Sequence, residues 1–160
     1  MPRNIIESEL NENYKIFSLS TDLPDYKLCY SLNHYLKWDF RRISHLQLSN
    51  DYDNLPGQFS LFHYEYDQFA NFFLLYPISE QLILLPNCFF ILCGSIHLHT
   101  EQNILEIINN INGVYSVNYI ELPSGVSPHI ANYFDSLIYD LEYHLLELMR
   151  DSEGKILIRI

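Results

Sequence analysis

The 160-residue chain is 48% apolar and carries a net charge of −11, with nine Lys and Arg against 20 Asp and Glu. That length suits one domain with a sizeable core, and that apolar fraction sets the chain apart from disordered sequences. The charge disfavours nucleic acid and anionic membrane surfaces, which are held through Lys and Arg; the only adjacent basic pair is Arg41-Arg42.

Residues 1–13 are polar, are expected to be flexible and hold no apolar core of signal-peptide length. No later run approaches the ~20 apolar residues of a membrane span. Three cysteines without a CxxC argue against a disulfide framework and place the protein in a reducing cytoplasm. Residues 14–20 read as a strand. Thr21-Asp22-Leu23-Pro24-Asp25 then opens a helix, with Asp22 or Asp25 as its cap. Leu28, Leu32 and Leu36 stand at i, i+4 and i+8 with Cys29 and Tyr35 beside them, giving one apolar face. Trp38-Asp39-Phe40 is a link to a strand at 42–48, and 50–57 is the strongest turn signal in the chain. Residues 59–67 and 69–77 read as a hairpin. A short apolar segment at 81–85 is interrupted by Pro86-Asn87, and a buried strand follows over 88–96.

Thr100 is placed to cap a second helix with Ile104, Leu105, Ile108 and Ile111 on its buried face, and Gly113 suits its end. Residues 114–122 return as a strand. Ser127-Pro128 starts the longest helix, with Pro in the first turn, where its missing donor costs nothing. Ile130, Phe134, Leu137, Leu141, Leu145 and Leu148 keep one side apolar to about Arg150, and Ile138 and Leu146 widen the stripe. Residues 155–160 alternate like a strand. Both 14–48 and 88–122 read strand–helix–strand, with antiparallel strands between. The expected fold is therefore α+β: one domain over 1–160, a mainly antiparallel sheet with helices packed on one face in a ferredoxin-like sandwich variant, and residues 128–160 forming a long C-terminal helix plus a short strand.

Cysteines and histidines cluster between residues 88 and 99. On a regular strand Cys88 and Cys93, five apart, point to opposite faces. Cys93 and His97 share a face but lie ~13 Å apart, too far for zinc ligands at ~2.0–2.3 Å. His97 and His99 share a face, so His97, His99 and His63 form the candidate metal set, with Glu65 beside His63 as another possible third ligand. The competing reading makes His97 and His99 solvent-side residues leading into a helix. Asp51-Tyr52-Asp53-Asn54 resembles the start of a calcium loop, but Leu55, Pro56 and Phe62 occupy positions that need oxygen ligands or glycine. No nucleophile elbow, GxGxxG, GxxxxGK[ST] or HExxH is present. On the strand around His63, Tyr64 and Tyr66 share one face while His63, Glu65 and Asp67 share the other.

Asp25-Tyr26-Lys27-Leu28 followed by Tyr30-Ser31-Leu32-Asn33, and later Tyr64-Glu65-Tyr66-Asp67, resemble the IPExxxVDY family of small bacterial proteins of unknown function. The resemblance covers about residues 14–122. The naming motif is degenerate: Leu85-Pro86-Asn87 stands where Ile-Pro-Glu is expected, and Cys88-Phe89-Phe90 resembles the remnant of an Asp-Tyr-Phe segment. The resemblance implies a cytoplasmic bacterial protein and brings no catalytic residues.

The expected function is that of a non-catalytic protein-interaction or structural module forming a homodimer. It needs no cofactor, its partner is a second copy or another protein, and neither nucleic acid nor membrane is involved. The long helix either covers its own sheet or packs on a partner subunit. Two alternatives stand beside this: a small-ligand regulatory domain of ACT-like kind, with polar residues around Gly113, and a metal-dependent enzyme using His97, His99 and His63.

Overall fold

The computed structural model of the protein describes residues 14–78 and 88–149. The expectations for 1–13, 81–85, Pro86-Asn87 and 155–160 lie outside the described residues. The elements run β1 (Tyr14–Thr21), α1 (Asp25–Leu36), β2 (Arg41–Gln47), β3 (Gln58–Asp67), β4 (Ala70–Pro77), β5 (Cys88–Gly94), α2 (Leu98–Asn109), β6 (Val114–Ile120) and α3 (Pro128–Met149). Six strands form one sheet in the order β2-β3-β4-β5-β1-β6, and every neighbouring pair is antiparallel. The α+β class and the long helix near the C-terminus match the sequence. Among the described residues, no helix is long and apolar enough to cross a membrane.

The helices do not share one face, as the sequence reading expected. Phe134, Leu137, Ile138, Leu141 and Leu145 of α3 pack with Ile16, Phe59, Leu61, Phe73, Phe89 and Ile91. On the opposite face, Leu28 and Leu32 of α1 and Ile104 and Ile108 of α2 pack with Phe17, Leu19, Phe62, Phe72, Phe90 and Leu92. The sheet is thus the middle of three layers. This explains β4 and β5, which run apolar without alternation: strands covered on both faces need apolar residues at successive positions. Cys93 faces α3 and Cys88 faces α1 and α2, as strand parity requires.

The long helix buries its stripe within its own chain. Its 22 residues span ~33 Å. Ile138 is buried and widens the stripe, whereas Leu146 is exposed and does not. Ser127 opens the helix as expected: its carbonyl accepts from Ala131 N–H at 2.9 Å and its hydroxyl from Ile130 N–H at 3.4 Å.

Two caps differ from expectation. Neither Asp22 nor Asp25 caps α1, whose N-cap is Pro24. Asp22 instead accepts the Tyr115 hydroxyl, and Asp25 sits in the first turn, accepting from Tyr26 N–H, where its charge still complements the helix dipole. The α2 cap is His97 rather than Thr100, which lies inside the helix. Gly113 turns the chain into β6 at φ +100; a Cβ there would lie 2.7 Å from the Leu23 side chain.

Candidate functional site

Polar side chains gather where the C-terminal half of α3 crosses one end of the sheet. Register places Glu65 of β3 opposite Asn71 of β4, Asn71 opposite Cys93 of β5, and Cys93 opposite Tyr14 of β1. Residues in register share a face, so this row lies on the α3 side of the sheet, with Glu65 exposed at its end. The Tyr14 hydroxyl donates to Glu142 Oε2 of α3 at 2.5 Å. Burial, then Cys93 and Glu142, raise the Tyr14 hydroxyl well above the usual tyrosine range, so it stays protonated and remains a donor. Burial likewise raises the Cys93 thiol, more than the Tyr14 hydrogen bond lowers it. A thiol held protonated is a poor nucleophile.

His63 Nε2 donates to Asn71 Oδ1 at 2.7 Å, and its ring lies against Phe73. Burial lowers the His63 pKa, against opposing effects of Asn71 and Glu65. Cys93, His63 and Asn71 are the residue types of a cysteine hydrolase triad, but their order is wrong. There the histidine lies between nucleophile and amide. Here Asn71 stands opposite Cys93 and takes the hydrogen bond from His63.

A second polar series runs along α3 at four-residue spacing. Ser136 Oγ meets the Tyr52 hydroxyl at 2.7 Å, Asp140 accepts from Ser49 N–H at 2.9 Å and from its hydroxyl at 2.8 Å, and His144 Nε2 lies 2.8 Å from Ser44 Oγ. The three residues share one side of the helix and reach β2 and the loop after it. Ser44 and His144 have the separation of a nucleophile and its base. Burial lowers the His144 pKa, Glu147 opposes that, and His45 adds to it. No carboxylate hydrogen-bonds the other ring nitrogen of His144 among the described residues. The contact continues the series that fastens the helix to the sheet.

The candidate metal set is not assembled. His63 lies on the α3 face, whereas His97 caps α2 and His99 lies in its first turn, on the other side of the sheet. His97 Nδ1 accepts from His99 N–H at 3.2 Å and caps the helix, and both residues are exposed. Strand parity fails for them because β5 ends at Gly94, with φ +107 and the Phe69 carbonyl only 2.0 Å from where a Cβ would stand. Among the described residues, no group of three or more His, Cys, Asp or Glu could hold a metal ion. Beside Gly113 the Asn109, Asn110 and Asn112 side chains are exposed, and the Gly113 carbonyl accepts from the Thr21 hydroxyl at 2.6 Å. Asp51 to Asn54 belong to the loop docked on α3, where the Tyr52 ring meets Tyr133 edge-on at 5.4 Å.

The other face carries an aromatic cluster. Trp38, from the link after α1, stacks on Tyr64 at 4.8 Å and lies 4.6 Å from Phe72, with Phe40, Tyr66 and Phe90 around it. Tyr64 and Tyr66 thus turn inward, opposite His63, as the alternation predicts.

No family model matches this chain, and no curated protein matches it.

Proposed function

We propose that this protein is a non-catalytic α+β module that acts through protein contacts, as a homodimer. The observation that carries this reading is the placement of tyrosine. Tyr26, Tyr30 and Tyr35 on α1, Tyr115 and Tyr119 on β6, and Tyr139 and Tyr143 on α3 are all exposed. Tyrosine offers a large apolar ring with a polar tip, and it is enriched at contact surfaces between proteins. The polar groups that resemble catalytic sets have structural uses: Ser44 and His144 join strand to helix, and His97 caps a helix.

The reading includes a ferredoxin-like core. The strand run β6-β1-β5-β4, with α1 and α2 on one face, supports it; β3 and β2 then extend the sheet, and α3 covers the far face. It also includes membership of the IPExxxVDY family and a cytoplasmic setting. The Asp25-Tyr26-Lys27-Leu28 start of α1 supports the first, and three free cysteines support the second. Light scattering coupled to size exclusion tests the dimer. Twice the chain mass is expected at micromolar concentration, and a monomer persisting to millimolar concentration removes the reading.

A further inference from the structure

We propose that the last turns of α3, residues 142–149, form a strap over Cys93 that lifts from the sheet in mild acid while the rest of the fold stays closed. This goes beyond the contact reading and concerns the single chain, whether or not it pairs. The two halves of α3 are fastened by different chemistry. The first half buries Tyr133, Phe134, Leu137 and Ile138, and its Tyr133 and Ser136 hydroxyls bond the Pro56 carbonyl and the Tyr52 hydroxyl. From residue 142 on, only Leu145 among the described side chains is fully buried. The hydrogen bonds there run through ionisable groups, Tyr14 to Glu142 and Ser44 to His144. A segment held by a single buried leucine and such a pair of bonds opens at lower cost than the domain as a whole.

Acid acts through His144. Its ring is half-buried against β2, which brings Ser44 and His45 to it. Burial lowers its pKa, Glu147 on the next turn opposes that, and His45 adds to it. The other charged groups on this side are already engaged. Arg41 of β2 is held by Asp39, His63 of β3 bonds Asn71 beside the exposed Glu65, and Asp140 and Glu142 are taken by Ser49 and Tyr14. A histidine that resists protonation while docked takes up its proton on release, so acid favours the lifted state. One proton bound on lifting shifts that balance by at most about tenfold for each pH unit.

Cys93 reports the event. It lies in one cluster with Leu141 and Leu145, and Glu142 is near enough to raise its thiol pKa. Cys88, on the same strand, faces the opposite layer and is fully buried. Lifting of the strap uncovers Cys93 and leaves Cys88 closed, whereas unfolding of the domain uncovers both.

The test follows labelling of the two thiols by 4,4′-dithiodipyridine in the Cys29→Ser protein, with peptide mass spectrometry to tell them apart. Each rate is divided by that of glutathione at the same pH, and circular dichroism checks folding. Between about pH 7.5 and 5.5, either side of the ordinary histidine value, the normalised Cys93 rate is expected to rise about fivefold or more while Cys88 stays unlabelled. His144→Gln, whose amide keeps a partner for Ser44, is expected to abolish the rise. A Cys93 rate that is flat with pH, that rises in step with Cys88, or that rises equally in the folded His144→Gln protein overturns the strap. Should either variant fail to fold, amide exchange of the wild type carries the test. Exchange at 142–149 that quickens in acid ahead of 133–141 supports the strap, and exchange that quickens in both together, or in neither, overturns it.

Discussion

On one face of the sheet a single long helix is fixed by side-chain hydrogen bonds; on the other, two short helices pack through leucine and isoleucine, with α2 tied to β1 by Lys15 and Glu101, and the linker after α1 is fixed by rings. The α3 face has Tyr14 to Glu142, Ser49 to Asp140, Ser44 to His144, and the buried Tyr133 hydroxyl donating to the Pro56 carbonyl at 2.5 Å. The α1 and α2 face has Trp38 among Tyr64, Phe72 and Phe90, and several of its hydrogen bonds close corners of the chain. Asn33, for example, both donates to the Phe40 carbonyl and accepts from its N–H. A long apolar stripe can slide along a sheet with little loss of burial, and directional bonds remove that freedom. The interlocked rings around Trp38 select one arrangement by shape, and on the same face directional bonds are fewer, Lys15 to Glu101 and Tyr76 to the Leu23 carbonyl among them.

The comparison breaks first at the cores. Leu141→Ala and Leu32→Ala remove fully buried side chains from opposite faces. Each is expected to cost about 3 kcal/mol in urea unfolding. A cost near zero for either shows that its face is not packed as described. Trp38→Ala comes next, at about 2 kcal/mol, because the ring is only partly buried. It should exceed the loss from any single neutral hydrogen bond under α3. Tyr133→Phe measures one such bond, leaving the Pro56 carbonyl without its donor, and is expected to cost about 1 kcal/mol.

The smallest effect is on pH dependence. Burial lowers the pKa of His63 and His144, both on the α3 side, from the ordinary 6.5. A histidine whose folded pKa is depressed binds protons more readily when unfolded, so stability rises with pH between the folded value and 6.5. The contribution is complete above that window and is lost as pH falls through it. Urea midpoints should therefore decline on acidification below about pH 6.5, and His144→Gln should flatten the decline. An unchanged slope in that variant shows that His144 is not one of the responsible groups.

Much of the architecture was legible because burial imposes periodicity. Leu28 and Leu32, Ile104 and Ile108, and Phe134, Leu137, Leu141 and Leu145 all stand where helical spacing put them. The second covered face was written in the unbroken apolar runs of β4 and β5, which a one-sided sheet does not need. The series Ser136, Asp140, His144 was also present as a spacing, but its partners Tyr52, Ser49 and Ser44 lie 84 to 100 residues away. No local pattern joins residues so distant. His97 and His99 misled because strand parity was carried past Gly94, where a backbone turn had already ended the strand.

Trp38 is the only tryptophan in the chain, and it belongs to one layer alone. Its emission, fed by energy transfer from the stacked Tyr64 ring, is a reporter confined to the α1 and α2 side. Loss of α3 alone would pass almost unseen in fluorescence while ellipticity fell, so superimposable melts by the two signals would certify that both layers let go of the sheet together.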